Sequence, residues 1–452
     1  MSSRKFNEYK GLDLPQLGRE VLEVWDRENT FGRSITEREG APAFIFYEGP
    51  PSANGLPGIH HVLSRTIKDT ICRYKTQQGY LVRRKAGWDT HGLPVELGVE
   101  KKLGITKEDI GHKISIEEYN RTCREAVMEF TGVWEELTRK MGYWVDMKHP
   151  YITYENKYIE TLWWMLKQLF DKGLLYKGYT IQPYSPAAGT GLSNHELNQP
   201  GCYRDVKDTT CTAQFEIIRD ERSEFLFDDA QGTLYFLAWT TTPWTLPSNT
   251  ALAVGDNIEY VRVKCLNPYT QQPQTVILAK ELLPAYFTPK MEGTYSIGER
   301  IYKGSELVGI RYRQLIDWVK PMGDAFRVIS GDYVTTVDGT GIVHIAPTFG
   351  ADDDRVGKQA GIVPMYVVDR AGKNQPMVDR RGRLFRIEDM DPDFVAKYVD
   401  AERYREWAGR FVKNAYDPSL GPDDPTLDID IAVMLKGEGK AFKIEKHTHS
   451  YP

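Results

Sequence analysis

Residues 42–69, PAFIFYEGPPSANGLPGIHHVLSRTIKD, decide the fold expected for the first part of the chain. The apolar run at the start of this stretch ends in turn-forming residues, as is typical of a buried parallel strand. A helical pattern follows from about Val62 to Gln77 and is closed by Gly79. The next run, YLVRRKAGWDTHG at 80–92, has the pattern of a second strand that ends in a loop. Strand, loop, helix and strand in this order predict an α/β fold.

The loops after these two strands form the first candidate site, because ligands in such sheets bind beyond the carboxyl ends of the strands. The first loop offers backbone N–H groups and the adjacent imidazoles of His60 and His61, which suit a phosphate group at a helix N-terminus. The second loop offers the carboxylate of Asp89, which suits an ammonium group. The alternative is structural: the histidines cap the helix, Asp89 caps the following turn, and His91 packs against it.

The rest of the chain changes character near residue 181. Long helical patterns precede this point, and short strand patterns separated by Gly, Pro, Asn and Asp follow it, which predicts a mostly β domain. From about residue 390 the sequence is helical and polar again, and neither a closing strand nor a capped helix is expected at HTHSYP. The expected domains are 1–180, 181–405 and 406–452.

Composition narrows the class of protein. The 452 residues are 41% hydrophobic and 27% charged, as in globular proteins of two or three domains. The net charge of −5 excludes a nucleic-acid signature spread over the whole chain, although a local basic strip remains possible. The absence of a long apolar run or signal region predicts no membrane contact. Five scattered cysteines without a C-x-x-C pair favour a reducing, cytoplasmic location and no metal site.

Three consecutive threonines mark a second candidate site in AWTTTPWTLPSNTA, residues 238–251. Alternation along a strand places Thr240 and Thr242 on one face and Thr241 on the other. Their hydroxyls can orient a water molecule or an ester carbonyl without any charge. The alternative is a threonine-rich edge strand with a purely structural role.

A third stretch, GTGIVHIAPTFGADDD at 339–354, combines a buried-strand pattern with His344 and ends in three aspartates. The three carboxylates can bind an ammonium group or a metal ion, or they can lie at the solvated start of a helix. The two glycines do not complete a dinucleotide-binding fingerprint, and the chain has no Walker loop.

Four segments, taken in order, resemble the isoleucyl-tRNA synthetase family of class I aminoacyl-tRNA synthetases: FYEGPPSANGLPGIHH, GYLVRRKAGWDTHGLPVELGVEKKLGI, WTTTPWTLPSNTALAV and GTGIVHIAPTFGADDD. The resemblance implies the first half of a split Rossmann catalytic domain, followed by a mostly β insertion that hydrolyses misacylated tRNA. The implied reaction of the full-length enzyme is ATP-dependent attachment of isoleucine to its tRNA. The valyl- and leucyl-tRNA synthetases share this architecture and are the nearest alternatives.

The family's H-I-G-H element aligns with residues 58–61 in variant form. His61 keeps the last histidine, Gly58 stands in place of the first, and His60 stands in place of the glycine, so His60 is a candidate substitute for the missing imidazole. The resemblance implies that ATP, with Mg as its counter-ion, binds at Gly58, His60 and His61, and that isoleucine binds at Gly49, Pro50 and Asp89, with Asp89 receiving the α-ammonium.

The resemblance also implies an editing site in the insertion. His344 matches the residue that limits side-chain size, and Asp353 matches the aspartate that holds the α-ammonium of the misacylated amino acid. Asp352 and Asp354 are less securely placed. The threonine-rich peptide would orient the attacking water together with the tRNA hydroxyls, so no side-chain nucleophile is required. The matching residues of that peptide are Trp239, Thr240, Thr241, Thr242 and Asn249.

The chain departs from the family in two places. YSPAAGTGLSNHE at 184–196 resembles a segment that often carries a zinc-binding cysteine pair, but Ala187 and Ala188 stand in a stretch without cysteine, so no zinc is expected. The family's K-M-S-K-S string, whose lysines stabilise the pyrophosphate leaving group, does not occur. We therefore expect an N-terminal fragment of a longer, monomeric enzyme that cannot activate isoleucine alone. The alternatives are a stand-alone editing hydrolase and a non-catalytic tRNA-binding module.

Overall fold

The structure, a computed structural model, describes residues 11–178, 180–185, 189–413, 419–421, 424 and 426–451. The backbone divides into two compact units, Met1–Gly178 (unit 1) and Tyr179–Pro452 (unit 2). The α/β fold class is confirmed, because unit 1 combines a parallel sheet with helices and unit 2 is dominated by one large mixed sheet.

Helices are concentrated in unit 1, and strands in unit 2. The α-helices of the described residues are α1 (Leu14–Arg27), α2 (Thr30–Thr36), α3 (Ile59–Gln77), α4 (Leu93–Leu103), α5 (Ile116–Val127), α6 (Thr131–Lys140), α7 (Asn156–Asp171), α8 (Asn194–Leu197), α9 (Leu283–Tyr286), α10 (Gly304–Leu307), α11 (Ala351–Ala360), α12 (Pro392–Tyr398), α13 (Ala401–Arg405) and α14 (Leu427–Gly437). The strands are β1 (Phe46–Tyr47), β2 (Arg84–Trp88), β3 (Asp146–Ile152), β4 (Tyr184–Ser185), β5 (Thr190–Gly191), β6 (Arg204–Glu216), β7 (Thr233–Thr240), β8 (Ala251–Val254), β9 (Glu259–Leu266), β10 (Pro273–Ala279), β11 (Ser296–Lys303), β12 (Arg327–Ser330), β13 (Ile342–Ile345), β14 (Tyr366–Val368), β15 (Asn374–Pro376) and β16 (Ala441–Tyr451).

Unit 1 has a parallel sheet in the order β1-β2-β3. The predicted connection is present: β1, a loop, α3 and β2 follow one another along the chain, and β2 lies between the other two strands. The prediction of a buried first strand was wrong. Only Phe46 and Tyr47 pair as β1, which is an edge strand of this sheet, and Ile45 and Tyr47 are exposed.

The described residues of unit 2 build a nine-stranded sheet around β7. The β7 strand pairs antiparallel with β6 along one edge, and parallel with β10 and then β13 along the other. Its core is continuous and apolar, with Phe215, Phe236 and Leu252 fully buried. The register places Trp239 beside Val343, so the end of β7 lies next to the strand that carries His344.

The expectation that no strand closes the chain was wrong. Residues 441–451 form β16, which pairs antiparallel with β6 from Ala441 opposite Ala213 to Tyr451 opposite Arg204. Its sequence reads as polar because one side of the ladder faces solvent, whereas Ala441 and Phe442 at its start are buried against the sheet.

No helix in the described part of the chain combines the length and apolar character needed to cross a membrane.

Candidate functional site

A cleft of about 1940 Å³ opens in unit 2 beside the end of β7. Its walls include the threonine-rich peptide, the strand β13 and the first turn of α11. Six of the seven residues that the resemblance assigned to editing line this cleft, namely Trp239, Thr240, Thr241, Thr242, His344 and Asp353. The seventh, Asn249, lies behind His344 and is buried.

The threonine-rich peptide turns sharply where β7 ends. The hydroxyls of Thr240 and Thr242 lie 3.2 Å apart, because the chain turns directly after Thr240, the last residue of β7. The Thr240 hydroxyl oxygen also accepts the backbone N–H of Thr242 at 3.0 Å, and Pro243 then starts a 3-10 helix at Pro243–Ser248. The Thr241 side chain is the one that this local network leaves free to face the cleft. The peptide is thus held by its own hydroxyls.

His344 is buried between this 3-10 helix and the strand β8. Its Nε2 lies 2.9 Å from the Thr245 hydroxyl oxygen, and its Nδ1 lies 3.4 Å from the amide nitrogen of Asn249. Burial lowers the pKa of His344 to about 4, because a charged imidazolium would lose its hydration. The side chain is therefore neutral at pH 7 and presents an uncharged, bulky wall to the cleft.

Asp353 lies in the first turn of α11 and turns into the cleft. One of its carboxylate oxygens accepts the backbone N–H of Ala346 at 2.9 Å, and the other accepts the hydroxyl of Tyr333 at 3.2 Å. Burial raises the pKa of Asp353, although these two hydrogen bonds oppose the change. Gly350 permits this approach, since a Cβ there would lie only 2.7 Å from the carboxyl carbon of Asp353.

The neighbouring aspartates behave as residues at a solvated helix start. Asp352 pairs with Arg355 at 3.2 Å, and Asp354 pairs with Lys358 at 2.6 Å along the same helix. The structure therefore separates the three carboxylates, and only Asp353 is a cleft-lining residue.

A buried charge network anchors the far end of the threonine-rich peptide. Asp428 of α14 accepts the backbone N–H of Trp244 at 2.9 Å. Lys413 donates to Asp428 at 2.7 Å and to Asp208 at 3.0 Å. Burial lowers the pKa of Lys413, but its two carboxylate partners more than compensate and raise it overall, so the cation persists at neutral pH.

In unit 1 the variant histidine element forms the first turn of α3, which begins at Ile59, three residues before the start that the sequence pattern predicts. Gly58 is the N-cap, and its N–H donates to Nδ1 of His61 at 2.9 Å, which leaves the proton of a neutral ring on Nε2. The His61 ring lies edge-on to Trp134 with ring centres 4.7 Å apart. Burial, together with the positive neighbours His60 and Arg65, lowers the pKa of His61. His60 is exposed.

The two loops of unit 1 lie side by side. The backbone N–H of Asp89 donates to the carbonyl of Pro51 at 3.1 Å, so Asp89 sits next to the loop that contains Gly49 and Pro50. The Asp89 carboxylate accepts only a long hydrogen bond, 3.4 Å from the N–H of His91. Among the described residues no cation pairs with Asp89, so both its structural and its ligand-binding interpretations fit this geometry.

Several residues that line the unit 2 cleft or lie behind it were not identified from the sequence. Thr245 lies within the threonine-rich peptide. Its spacing of three residues from Thr242 matches one turn of 3-10 helix and is the signal by which it could have been identified. Tyr333, Tyr312 and Asp428 lie far from the recognised motifs in sequence, and nothing in their local pattern points to the cleft.

Metal-binding geometry is absent from the described residues, where no group of three or more His, Cys, Asp or Glu side chains lies close enough to hold an ion. Ala187 and Ala188, on which the expectation about zinc rests, lie outside the described residues. The five cysteines are unpaired thiols.

Comparison with known proteins gives one family and many relatives. The sequence profile of the family described as "tRNA synthetases class I (I, L, M and V)" matches residues 20–379. The isoleucine–tRNA ligase of Bacteroides fragilis is 63% identical over 463 residues, which include all of this chain and 40% of the relative. The corresponding ligase of Porphyromonas gingivalis is 62% identical with the same coverage, and that of Clostridium tetani is 42% identical over 98% of this chain and 37% of its own length.

The chain thus spans about 40% of the length of the curated relatives that it matches. A solved structure described as "The crystal structure of GlLeuRS-CP1" is also similar, at 14% identity and a TM-score of 0.33, over 53% of this chain and 99% of that one. Because the family profile covers well over half of the 452 residues, the chain belongs to the class I tRNA synthetase family of the isoleucine, leucine, methionine and valine enzymes.

Proposed function

We propose that the cleft of unit 2 hydrolyses tRNA that carries the wrong amino acid, as the editing site of an isoleucine–tRNA ligase. The observation that carries this proposal is the convergence of the threonine-rich peptide, a neutral His344 and the carboxylate of Asp353 on one cleft. Isoleucine is the favoured amino acid because the relatives at 62–63% identity are isoleucine–tRNA ligases.

Asp353 would receive the α-ammonium of the aminoacyl group. Its carboxylate is held by the Ala346 N–H and the Tyr333 hydroxyl, so its position is set before the substrate arrives. A carboxylate in a partly desolvated cleft attracts a cation more strongly than one in bulk water. The ammonium group is present in every aminoacyl-tRNA, so Asp353 would fix orientation rather than select the side chain.

Hydrolysis would then need only an oriented water molecule. The water oxygen attacks the ester carbonyl carbon, the ester C–O bond breaks, and the leaving ribose oxygen takes a proton as the amino acid departs. The cleft offers the hydroxyls of Thr240, Thr241 and Thr242 to hold that water, and no thiol is among the residues that line it. Since His344 is neutral and its two ring nitrogens are engaged, it would act as a wall of the pocket.

A second pocket answers a physical limit of the first. Isoleucine and valine differ by one methylene, and this pair is the standard illustration that an apolar pocket gains only about 1–3 kcal/mol from such a difference. Valine therefore enters the synthetic site at a rate that protein synthesis cannot tolerate. A cleft whose size is limited by His344 would accept valine and exclude isoleucine.

For unit 1 we propose a role in binding ATP and isoleucine. The start of α3 offers backbone N–H groups and the imidazoles of His60 and His61 to phosphate, with Mg carried by the nucleotide. Asp89, beside Gly49 and Pro50, would receive the amino group of isoleucine. Because the sequence has no K-M-S-K-S string, we propose that these 452 residues alone do not form isoleucyl-adenylate.

The editing proposal is tested by measuring hydrolysis of isoleucine-specific tRNA charged with valine or with isoleucine. We expect selective release of valine, and about a hundredfold loss in Asp353→Ala, since an anchoring group that mispositions the reacting centre has effects of that order. The matched control is Asp352→Ala, which removes an exposed carboxylate from the same turn and should retain activity. Equal rates for both tRNAs, or equal effects of the two variants, would contradict the proposal. Release of the amino acid from valine- or leucine-specific tRNA instead would favour one of the sister enzymes.

The synthetic proposal has its own test. A single-turnover assay with ATP and isoleucine should give no isoleucyl-adenylate with this chain, while an ATP titration should show binding that weakens in His61→Ala. Adenylate formation would overturn the first statement. An unchanged titration in the variant would overturn the second and leave unit 1 as a structural platform.

A further inference from the structure

Behind the cleft, the side chains of Tyr312, Asn249, His344 and Thr245 form a series of hydrogen bonds in which each donor can be identified. The Tyr312 hydroxyl lies 2.7 Å from the Asn249 side-chain oxygen, and the Asn249 amide nitrogen lies 2.8 Å from the Ala251 carbonyl. A carbonyl can only accept, so the atom of Asn249 that faces Ala251 is the NH₂ group. The amide orientation therefore follows from its surroundings, and Tyr312 must be the donor to the remaining oxygen.

The orientation of Asn249 determines where the proton of His344 lies. The same NH₂ group has a second N–H, and Nδ1 of His344 lies 3.4 Å from it. A ring nitrogen that faces a donor must accept, so Nδ1 is unprotonated. Because the ring is neutral, its proton is on Nε2, which lies 2.9 Å from the Thr245 hydroxyl oxygen.

The hydrogen bonds continue from His344 through Thr245 to the threonine-rich peptide. With Nε2–H donating to its oxygen, the Thr245 hydroxyl directs its own proton to the Thr242 carbonyl at 2.8 Å. Thr242 closes the contact with Thr240 at the cleft wall. Tyr312, Asn249, His344 and Thr245 are all buried, whereas Thr242 is partly exposed at the cleft.

We propose that Tyr312 and Thr245 are positioning residues that, through Asn249, hold His344 as the neutral Nε2–H tautomer and so fix the backbone of Thr242 at the cleft. This relay (Tyr312, Asn249, His344 and Thr245) rests on the proposed function only for its effect on hydrolysis. The tautomer itself is a property of the folded protein without substrate. His344 then has no free lone pair for a general base, and its Nε2–H reaches the threonine-rich peptide through the Thr245 hydroxyl, which donates to the Thr242 carbonyl.

The titratable groups on the surrounding elements are few. The strand β7 carries Tyr235, the strand β8 carries none, and the 3-10 helix carries none. Tyr312 faces Asn249 and not the ring. Asp338, Asp353 and Asp379 line the cleft, and Asp428 bonds to the Trp244 N–H of the 3-10 helix. None of these charged groups contributes to the lowered pKa of His344, which burial alone explains.

The tautomer is measured by ¹⁵N NMR of the folded chain with labelled histidine at pH 7, with His344 assigned by the loss of its signals in His344→Gln. We expect a protonated Nε2 and an unprotonated Nδ1. In Asn249→Asp the carboxylate cannot donate, so the proton should appear on Nδ1 or on both nitrogens. A wild-type ring with its proton on Nδ1, or an Asn249→Asp spectrum identical to the wild type, would overturn the relay.

The positioning role is measured by hydrolysis of valyl-tRNA at saturating and limiting concentrations. Thr245→Val and Tyr312→Phe keep the shape of the side chain and remove its hydroxyl, and each should lower kcat about tenfold with KM unchanged, because the reacting centre is displaced while the substrate anchors remain. Thr245→Ser restores the hydroxyl and should recover the wild-type kcat. A change in KM alone, or no recovery in Thr245→Ser, would show that Thr245 and Tyr312 contribute only to packing and would overturn the positioning role. If the wild type hydrolyses nothing while the tautomer is as expected, the proposed function fails and the relay stands.

Discussion

The two aspartates proposed to receive an α-ammonium group lie in opposite surroundings. Asp353 of unit 2 is held by the Ala346 N–H and the Tyr333 hydroxyl inside a cleft. Asp89 of unit 1 has one long hydrogen bond to its own loop and no ionic partner among the described residues. A binding group that is held before its ligand arrives gains affinity, because less ordering is required on binding.

The same contrast extends to the elements that carry the two sites. In unit 2 the cleft walls rest on a nine-stranded sheet with a continuous buried core. In unit 1 no residue of α7 is buried, and Ile59 and Leu63 on α3 are 83% and 65% exposed. Residue types suited to a ligand are present in both units. In unit 2 Asp353 is held by two hydrogen bonds, whereas in unit 1 His61 is held by the Gly58 N–H but Asp89 accepts only one long hydrogen bond. A sequence motif can therefore supply the residue types of a binding site without the surrounding contacts that hold them in place before a ligand binds.

The largest expected effect comes from the charge network behind the unit 2 cleft. Asp428→Ala removes the buried carboxylate that pairs with the largely buried Lys413 ammonium, whose side chain is 17% exposed, and leaves the Trp244 N–H without its acceptor. Unit 2 should therefore lose about 3–5 kcal/mol of stability. Hydrogen exchange of β7 amides reads this loss within unit 2. The matched control is Asp430→Ala on the same helix, whose partly exposed pair with Arg410 should be worth at most about 1 kcal/mol. Similar losses of stability in the two variants would show that the buried network around Asp428 contributes no more than an exposed ion pair.

A second effect follows from the buried, neutral His344. The unfolded side chain takes up a proton below about pH 6.5, whereas the folded one stays neutral down to about pH 4. The unfolded state therefore binds more protons in this window, and stability falls as the pH decreases through it, by about 3 kcal/mol at most. Urea unfolding at a series of pH values checks this. The difference between wild type and His344→Gln should shrink from pH 7 to pH 4, and a constant difference would contradict the burial argument.

Removing the Asp353 carboxylate should have a smaller effect on stability. Asp353→Ala leaves the buried N–H of Ala346 without its acceptor, which costs about 1–3 kcal/mol. Hydrogen exchange of the β13 amides measures the loss. Asp353→Asn, which keeps an oxygen for that N–H, should recover part of it. If the alanine and asparagine variants are equally stable, the hydrogen bond to Ala346 contributes little.

The smallest effect is expected at Asp89. Asp89→Ala removes a carboxylate that has no ionic partner among the described residues and accepts one long hydrogen bond, so the stability of unit 1 should change by less than about 0.5 kcal/mol. Hydrogen exchange of the β2 amides reports it. A loss as large as that of Asp353→Ala would show that Asp89 is a structural cap, and would break the contrast between the two aspartates.

The sequence predicted those helices and strands whose formation depends on neighbouring residues. The end of α3 at Gln77 and the strand pattern at TLYFLAWT appear in the structure, because a helical stripe and a buried strand depend on neighbouring residues. The helix begins at Ile59, three residues earlier than its apolar pattern predicts, and β7 ends at Thr240, so no strand extends through the three threonines. The order of the motifs also indicated the family. The exposure of β1 was not predictable, since an apolar run does not reveal how many sides of its strand are covered.

The partners of the site residues were also beyond local reasoning. The hydroxyl of Tyr312 lies 63 residues from Asn249 along the chain, and Asp428 lies 184 residues from Trp244. Such contacts depend on the register of the sheet and the placement of α14. The resemblance singled out Asp353 among three neighbouring aspartates, but the local pattern alone does not show which of them lines the cleft.

The ladder between β6 and β16 has a mechanical consequence. Thr210 and the Glu445 carbonyl meet across it although they are separated by 235 positions in the sequence. Arg204 and Tyr451, the outermost pair, lie at the same end of this ladder because the strands are antiparallel. A force that pulls these two residues apart would therefore open the ladder like a zipper, one rung at a time, and would meet little resistance at any moment. The rest of the sheet would bear the force only after these rungs had separated, so the β6–β16 ladder would be the first part of the sheet to unfold under this force.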